Sequence, residues 1–255
     1  MDIKVLVATH KKYKMPEEKI YMPIHVGKEG KPDLGYIGDN TGDNISIKNP
    51  NYCELTALYW AFKNLKCDYI GLCHYRRYFT KGHIILRNLN STEKFKLILT
   101  KDEIEEMLLS YDIIVPIKRN YYIETIKSHY KNAHHIEDLN KVEDIIRKKH
   151  SDYIDSFNYV MSGTKLYLFN MFIMKKSDFD RYCQWLFSIL FDLEKTVDIS
   201  NYDDYQSRIY GFLSERLFNV WLHKENLIKK EVPVVNMEKV AWIKKIKDFL
   251  KRKYR

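Results

Sequence analysis

Residues 69–79 read YIGLCHYRRYF. Tyr69–Cys73 is a short apolar run of strand length, and the chain then turns abruptly polar and basic at His74, Tyr75, Arg76 and Arg77. A strand that ends in such a cluster has the form of a crevice edge in an open α/β sheet, where ligands lie beyond the carboxyl ends of the strands. Upstream, Leu55, Leu58, Tyr59, Phe62 and Leu65 follow helical spacing from Glu54 to Leu65, and apolar runs at 3–8 and 20–26 have strand length. Downstream come a helical pattern at 101–110, a strand at 111–115 stopped by Pro116, and mainly helical sequence over 118–160. An apolar run at 167–174, helices at 177–193 and 203–222, and a short strand at 232–235 complete the series. Strands alternating with helices predict an α/β fold: one domain over 1–237, with a mostly parallel central sheet flanked by helices. Two further polar motifs follow predicted strands, ATHKKY at 8–13 and PIKRNYY at 116–122, so the three motifs share one end of the sheet.

The chain has 255 residues, 45% hydrophobic and 30% charged, which excludes wholesale disorder. Aromatics reach 14%, and the 20 tyrosines suit stacking on sugars or bases as readily as a loosely specified core. Four cysteines, Cys53, Cys67, Cys73 and Cys183, show no metal-like spacing and fit a reducing compartment. No run approaches the roughly 18 apolar residues of a membrane span, and the amino terminus lacks a signal-peptide core. The expected location is the cytoplasm, peripheral to the inner face of the cell membrane. The reason lies in residues 238–255, whose eight basic and two acidic side chains carry six of the nine net positive charges. There Trp242, Ile243, Ile246, Phe249 and Leu250 line one helical face and cations the other, the pattern of a basic amphipathic helix on an anionic membrane surface. The same pattern serves a terminal helix packed on the domain. The body is nearly balanced in charge, which disfavours nucleic acid as a partner.

Arg76 and Arg77 carry planar guanidinium forks suited to phosphate oxygens, although a basic surface turn has the same composition. In an extended segment they point to opposite faces, one toward a diphosphate and one toward an internal carboxylate. No Asp-x-Asp pair follows this strand, and Asp178 and Asp180 sit where helix capping explains them. Arginine charge can replace a cation on a leaving diphosphate, so no metal is expected as a requirement, with a divalent ion left open. His10 and Lys11 stand within reach of a nucleotide, and Asp39, Asp43 and Asn44 offer polar groups for ribose or base edges, or ordinary turn chemistry. Asn170, inside an apolar run, needs partners from protein or from ligand hydroxyls. Glu215, among Phe212, Leu213, Leu217 and Phe218, suits a general base, or pairs with Arg216 or Arg208. The histidines 129, 134 and 135 lack a metal-ligand set and fit a solvated helix face.

ATHK at 8–11, DNIS at 43–46, YCELTALYW at 52–60, LCHYRRYF at 72–79, NMFIM at 170–174 and GFLSERLFNVWL at 211–222 together resemble a bacterial family long catalogued as a domain of unknown function. Its members are encoded among capsule, exopolysaccharide and lipopolysaccharide genes. The resemblance implies a GT-A-like glycosyltransferase built as a single Rossmann-like domain. Its nucleotide-sugar donor would be UDP-linked galactofuranose or galactose, its acceptor a lipid-linked glycan or oligosaccharide, and its chemistry an inverting displacement. Carried over by position, His10, His74, Arg76 and Arg77 belong to the donor side and Asn170, Met171 and Glu215 to the reacting or acceptor side, where His134 is also placed. A non-catalytic nucleotide- or glycan-binding module is the alternative.

Overall fold

The computed structural model describes residues 1–81 and 89–238. The first half holds β1 (Ile3–Thr9), β2 (Tyr21–His25), β3 (Ile37–Gly38), α1 (Asn49–Tyr52), α2 (Leu55–Asn64), β4 (Tyr69–His74) and β5 (Arg77–Phe79). It continues through α3 (Ser91–Phe95), α4 (Lys101–Leu108), β6 (Ile113–Pro116) and β7 (Arg119–Asn120). The second half holds α5 (Ile126–Ala133), α6 (Ile136–Lys149), α7 (Ile154–Ser162), β8 (Lys165–Leu166) and β9 (Phe172–Lys175). It ends with α8 (Lys176–Glu194), α9 (Ile209–Glu225), β10 (Lys229–Val232) and β11 (Val234–Asn236).

The main sheet runs β10-β6-β9-β4-β1-β2-β3, with β5 paired to β4 and β11 to β5. Pairs β1–β2, β1–β4, β2–β3 and β6–β10 are parallel, and β9 alone on the main path runs against its neighbours. This is the α/β sheet with flanking helices that the alternation of elements predicts. Alternation within strands sorts the two faces. Leu6, Ala8, Ile70, Leu72, Ile113, Val115, Phe172 and Met174 join the larger core with α2, α8 and α9. Val5, Val7, Cys73, Ile114, Met171 and Ile173 join the smaller one with α4. β4 lies so close to β9 that a Cβ on Gly71 would sit 2.8 Å from Ile173 Cγ1 and 2.9 Å from the Phe172 carbonyl. Capping boxes, Asn90 with Glu93 and Thr100 with Glu103, start α3 and α4.

Three expectations change. The strand expected over Tyr69–Cys73 runs on through His74, and HYRRYF forms a hairpin with it, in which His74 pairs with Arg77 across a turn at Tyr75 and Arg76. The apolar run 167–174 is not one strand, because Phe169 and Asn170 take left-handed backbone angles (φ +74° and +52°) and β9 begins only at Phe172. The single strand expected at 232–235 is two, β10 and β11, divided at Pro233, which has no N–H for a ladder. Among the described residues no helix is long and apolar enough to cross a membrane. The basic helix expected over 238–255 lies outside the described residues except for Glu238.

Candidate active site

The parallel strands β1, β4 and β6 end on one edge of the sheet. The antiparallel β9 begins there, so the bend at Phe169–Asn170 is delivered into the same crevice. Four chain segments meet at that bend. His74 Nε2 lies 2.7 Å from the Phe169 carbonyl; since a carbonyl only accepts, Nε2 carries the proton and donates. From the other side, the Phe169 N–H donates to Glu215 Oε1 at 2.7 Å. The Asn170 amide nitrogen donates to Glu54 Oε1 at 2.8 Å and to Ser214 Oγ at 2.9 Å. Asn170 is 1% exposed, and its Oδ1 is buried with no partner among the described residues. Two consecutive left-handed non-glycine residues are costly, and the bonds to His74, Glu215, Glu54 and Ser214 hold them there.

Arg77 lies over the Phe169 ring, 4.4 Å from its centroid. Burial lowers its proton affinity, and Arg76 adds to this against the opposing pull of Glu215 and Glu54. Burial raises the proton affinity of Glu215 above the usual carboxylate range; Arg216 and the Phe169 N–H oppose the shift. Glu215 Oε2 stands 3.4 Å from Arg216 Nη1, and the side chain keeps 21% of its surface exposed. His74 is pushed toward the neutral form by burial, although Glu54 pulls the other way.

The outer rim is basic. His10 packs edge-on against Tyr75 at 5.4 Å. Its proton affinity is lowered by burial first and then by Lys11, Arg76, Lys31 and Arg208, four cations gathered around one imidazole. Lys11 Nζ lies 5.0 Å from the Tyr75 ring centroid. Arg76 and Lys11 share Glu238, at 3.4 and 3.6 Å. Arg208 Nε donates to Cys53 Sγ at 3.2 Å, and burial raises the Cys53 thiol to about 11. Among the described residues no group of three or more His, Cys, Asp or Glu is arranged to hold a metal ion.

His10, Lys11, His74, Arg76, Arg77, Asn170 and Glu215 therefore converge, and the other candidates lie apart. Asp39 is fully buried; its carboxylate accepts from the N–H groups of Gly27 and Lys28 and from Ser46 Oγ, which ties the loop after β2 together. Asp43 bonds Tyr59 and faces Lys63, beside the second half of α2 and away from Glu54 at its start. Asn44 bonds within its own turn. Met171, expected toward the acceptor, is fully buried in the smaller core. His134 stacks on Phe212 at 4.1 Å and bonds Gln206, one turn of α9 from Glu215. Glu54, Phe169 and Ser214 join the site without having been chosen from the sequence. Glu54 reads there only as a helix start.

None of the curated proteins matches the chain. A solved structure, the WbbM bifunctional glycosyltransferase in its apo form, is 32% identical with a TM-score of 0.86. The alignment covers 93% of this chain and 46% of that one, so this chain spans about half the length of that protein. Residues 4–226 match the family described as Domain of unknown function (DUF4422), a span that contains each converging side chain from His10 to Glu215. The chain belongs to the DUF4422 family.

Proposed function

We propose that this chain is a glycosyltransferase of surface-polysaccharide synthesis. It moves galactofuranose or galactose from a UDP-sugar to a lipid-linked or oligosaccharide acceptor by inverting single displacement, in a GT-A-like domain. The observation that carries this reading is the juxtaposition of a basic rim (His10, Lys11 and Arg76 gathered on the Tyr75 ring) with a half-buried carboxylate of raised proton affinity, Glu215, held on the Phe169 bend. The first suits a diphosphate, the second an acceptor hydroxyl. The likeness to a bifunctional glycosyltransferase over about half its length supports the same reading.

In this mechanism Glu215 removes the proton from the acceptor hydroxyl. The freed oxygen attacks the anomeric carbon, and the bond from that carbon to the β-phosphate oxygen breaks. Its electron pair leaves with UDP, where Arg76 and Lys11 balance the growing charge without a required metal. Arg77, held on Phe169 between the donor side and the carboxylates, orients both. Asn170 and Glu54 fix the bend that carries Phe169. His74 stays neutral and clamps the bend through its carbonyl.

A panel of UDP-sugars, offered with a lipid-linked acceptor in the presence and absence of chelator, tests this. Release of UDP with one donor, unchanged by chelator, is the expected result. Binding of UDP without turnover of any donor would overturn it in favour of a binding module.

A further inference from the structure

β6 leaves the sheet at the crevice end, and the seven residues that follow are unusual in composition and exposure. Ile117, Tyr122 and Ile123 are 50%, 81% and 67% exposed, and Lys118 and Arg119 between them are exposed as well. No exposed carboxylate interrupts the segment; the next acid, Glu124, is buried and accepts from Asn132 Nδ2 at 2.9 Å. Single exposed apolar side chains are ordinary, but three within seven residues beside two cations make a cluster of the kind that marks an interaction surface.

The backbone holds them outward. Arg119 and Asn120 pair with Leu166 and Lys165 in a two-stranded ladder, which makes the segment a firm projection. At its tip the Ile123 N–H donates to the Tyr121 carbonyl at 2.7 Å around Tyr122, whose φ is +58°. That is a γ-turn of the rare, strained sign, on a bulky residue. Asn120 Oδ1 steadies it by accepting from the Tyr122 N–H at 2.9 Å. The fold therefore accepts strain to present a tyrosine and an isoleucine to the outside. Tyr121, the inner neighbour, packs on His129 of α5 with ring centroids 4.0 Å apart, and Arg216, beside Glu215, lies 5.1 Å from the ring centroid of Tyr130 on the same helix, which joins the projection to the carboxylate side of the site.

We infer that the 117–123 projection is an interfacial anchor that seats the mouth of the crevice on an anionic lipid bilayer. Isoleucine suits the acyl boundary, tyrosine the headgroup level, and lysine and arginine the lipid phosphates. Glu238 pairs with Arg76 and Lys11 at the same end of the sheet, and the sequence after it is the basic, amphipathic one. The inference rests on the acceptor being lipid-linked, since a bilayer-seated mouth receives a sugar hydroxyl held at headgroup depth.

The test is sedimentation of the full chain with phosphatidylcholine vesicles, with and without phosphatidylglycerol, and without any sugar substrate. The variants are Ile117→Ser/Tyr122→Ser/Ile123→Ser and Lys118→Glu/Arg119→Glu. All five side chains are exposed, and an unchanged melting curve verifies folding. The expected result is partition to anionic vesicles that falls more than about ten-fold in the apolar variant. Each lost cation costs roughly five-fold in affinity for the anionic surface. Equal partition of wild type and both variants, or no partition of the wild type, overturns the inference. So does a projection variant that binds vesicles normally but loses affinity for a lipid-free oligosaccharide acceptor, because the segment would then be a glycan contact. UDP release from a soluble acceptor, measured separately, tells failure of the anchor from failure of the proposed reaction.

Discussion

Glu215 Oε1 accepts the backbone N–H of Phe169 at 2.7 Å, which fixes the acid to the bend at the mouth of β9 and leaves Oε2 beside Arg216. A glutamine there keeps an acceptor for that N–H but takes no proton. Glu215→Gln is therefore expected to lower turnover by about 10²–10³ while UDP affinity stays within about two-fold of wild type by titration calorimetry. Because burial raises the proton affinity of Glu215, wild-type turnover should climb with pH through a value above the ordinary glutamate range, then level off. A variant retaining more than a tenth of wild-type turnover would remove Glu215 from the role of base.

Arg76 is 40% exposed, and its pairing with Glu238 contributes little to stability. Arg76→Ala should leave the urea midpoint nearly unchanged yet weaken UDP binding by about ten-fold or more, the loss of one charge-assisted bond. Arg77→Lys removes the planar fork from the Phe169 ring and is expected to cost turnover more than UDP affinity. Equal UDP affinity in wild type and Arg76→Ala would count against the rim as the diphosphate site.

Asn170 touches the Glu54 carboxylate at 2.8 Å. Asn170→Ala loses two buried bonds, at about 1–3 kcal/mol. Asn170→Asp sets a second carboxylate against Glu54, and two such neighbours resist ionising together. The folded pair then holds a proton more tightly than the unfolded chain, so stability declines as pH rises. Urea denaturation should show Asn170→Asp below Asn170→Ala at pH 8, with the gap closing toward pH 5. A gap independent of pH would refute the contact.

His74 binds its proton less readily in the native state than in the unfolded chain, chiefly through burial. Between the lowered native value and the ordinary one near 6.5, the unfolded chain holds more protons, so stability is full above about 6.5 and is lost as pH falls. One such group contributes a slope of up to about 1.4 kcal/mol per pH unit. His74→Gln, which still offers a donor to the Phe169 carbonyl, should have a shallower acid limb in denaturation series from pH 7.5 to 5.

Gly71→Ala tests the packing of β4 on β9. The added Cβ meets Ile173 and a backbone carbonyl, and overpacking of this kind costs about 1–3 kcal/mol. A melting temperature equal to wild type would show that β9 can yield.

The strands at Ile3–Thr9, Tyr69–His74 and Ile113–Pro116 are legible because their residues are buried on both faces and read as continuous apolar runs. The direction of β9 is not, since periodicity is the same up or down. The bend at Phe169–Asn170 hides inside an apolar run, where only the single asparagine signals a left-handed position. His10, His74, Arg76 and Arg77 are legible as polar residues at strand ends. Glu54 is not, because its importance arises from Asn170, 116 residues away, and no local pattern carries that distance. For the same reason Asp39 looks like a ligand group in sequence and proves to be a loop tie.

The reversed strand β9 carries a kinetic consequence. It brings the bend into contact with Glu54, His74 and Glu215, partners separated from it by 116, 95 and 46 residues. No fragment of the chain can close those loops early, since their entropy must be met before the contacts return anything. The crevice therefore forms only together with the completed sheet and has no partly folded active form. During refolding, UDP binding should appear together with protection from proteolysis, neither preceding the other.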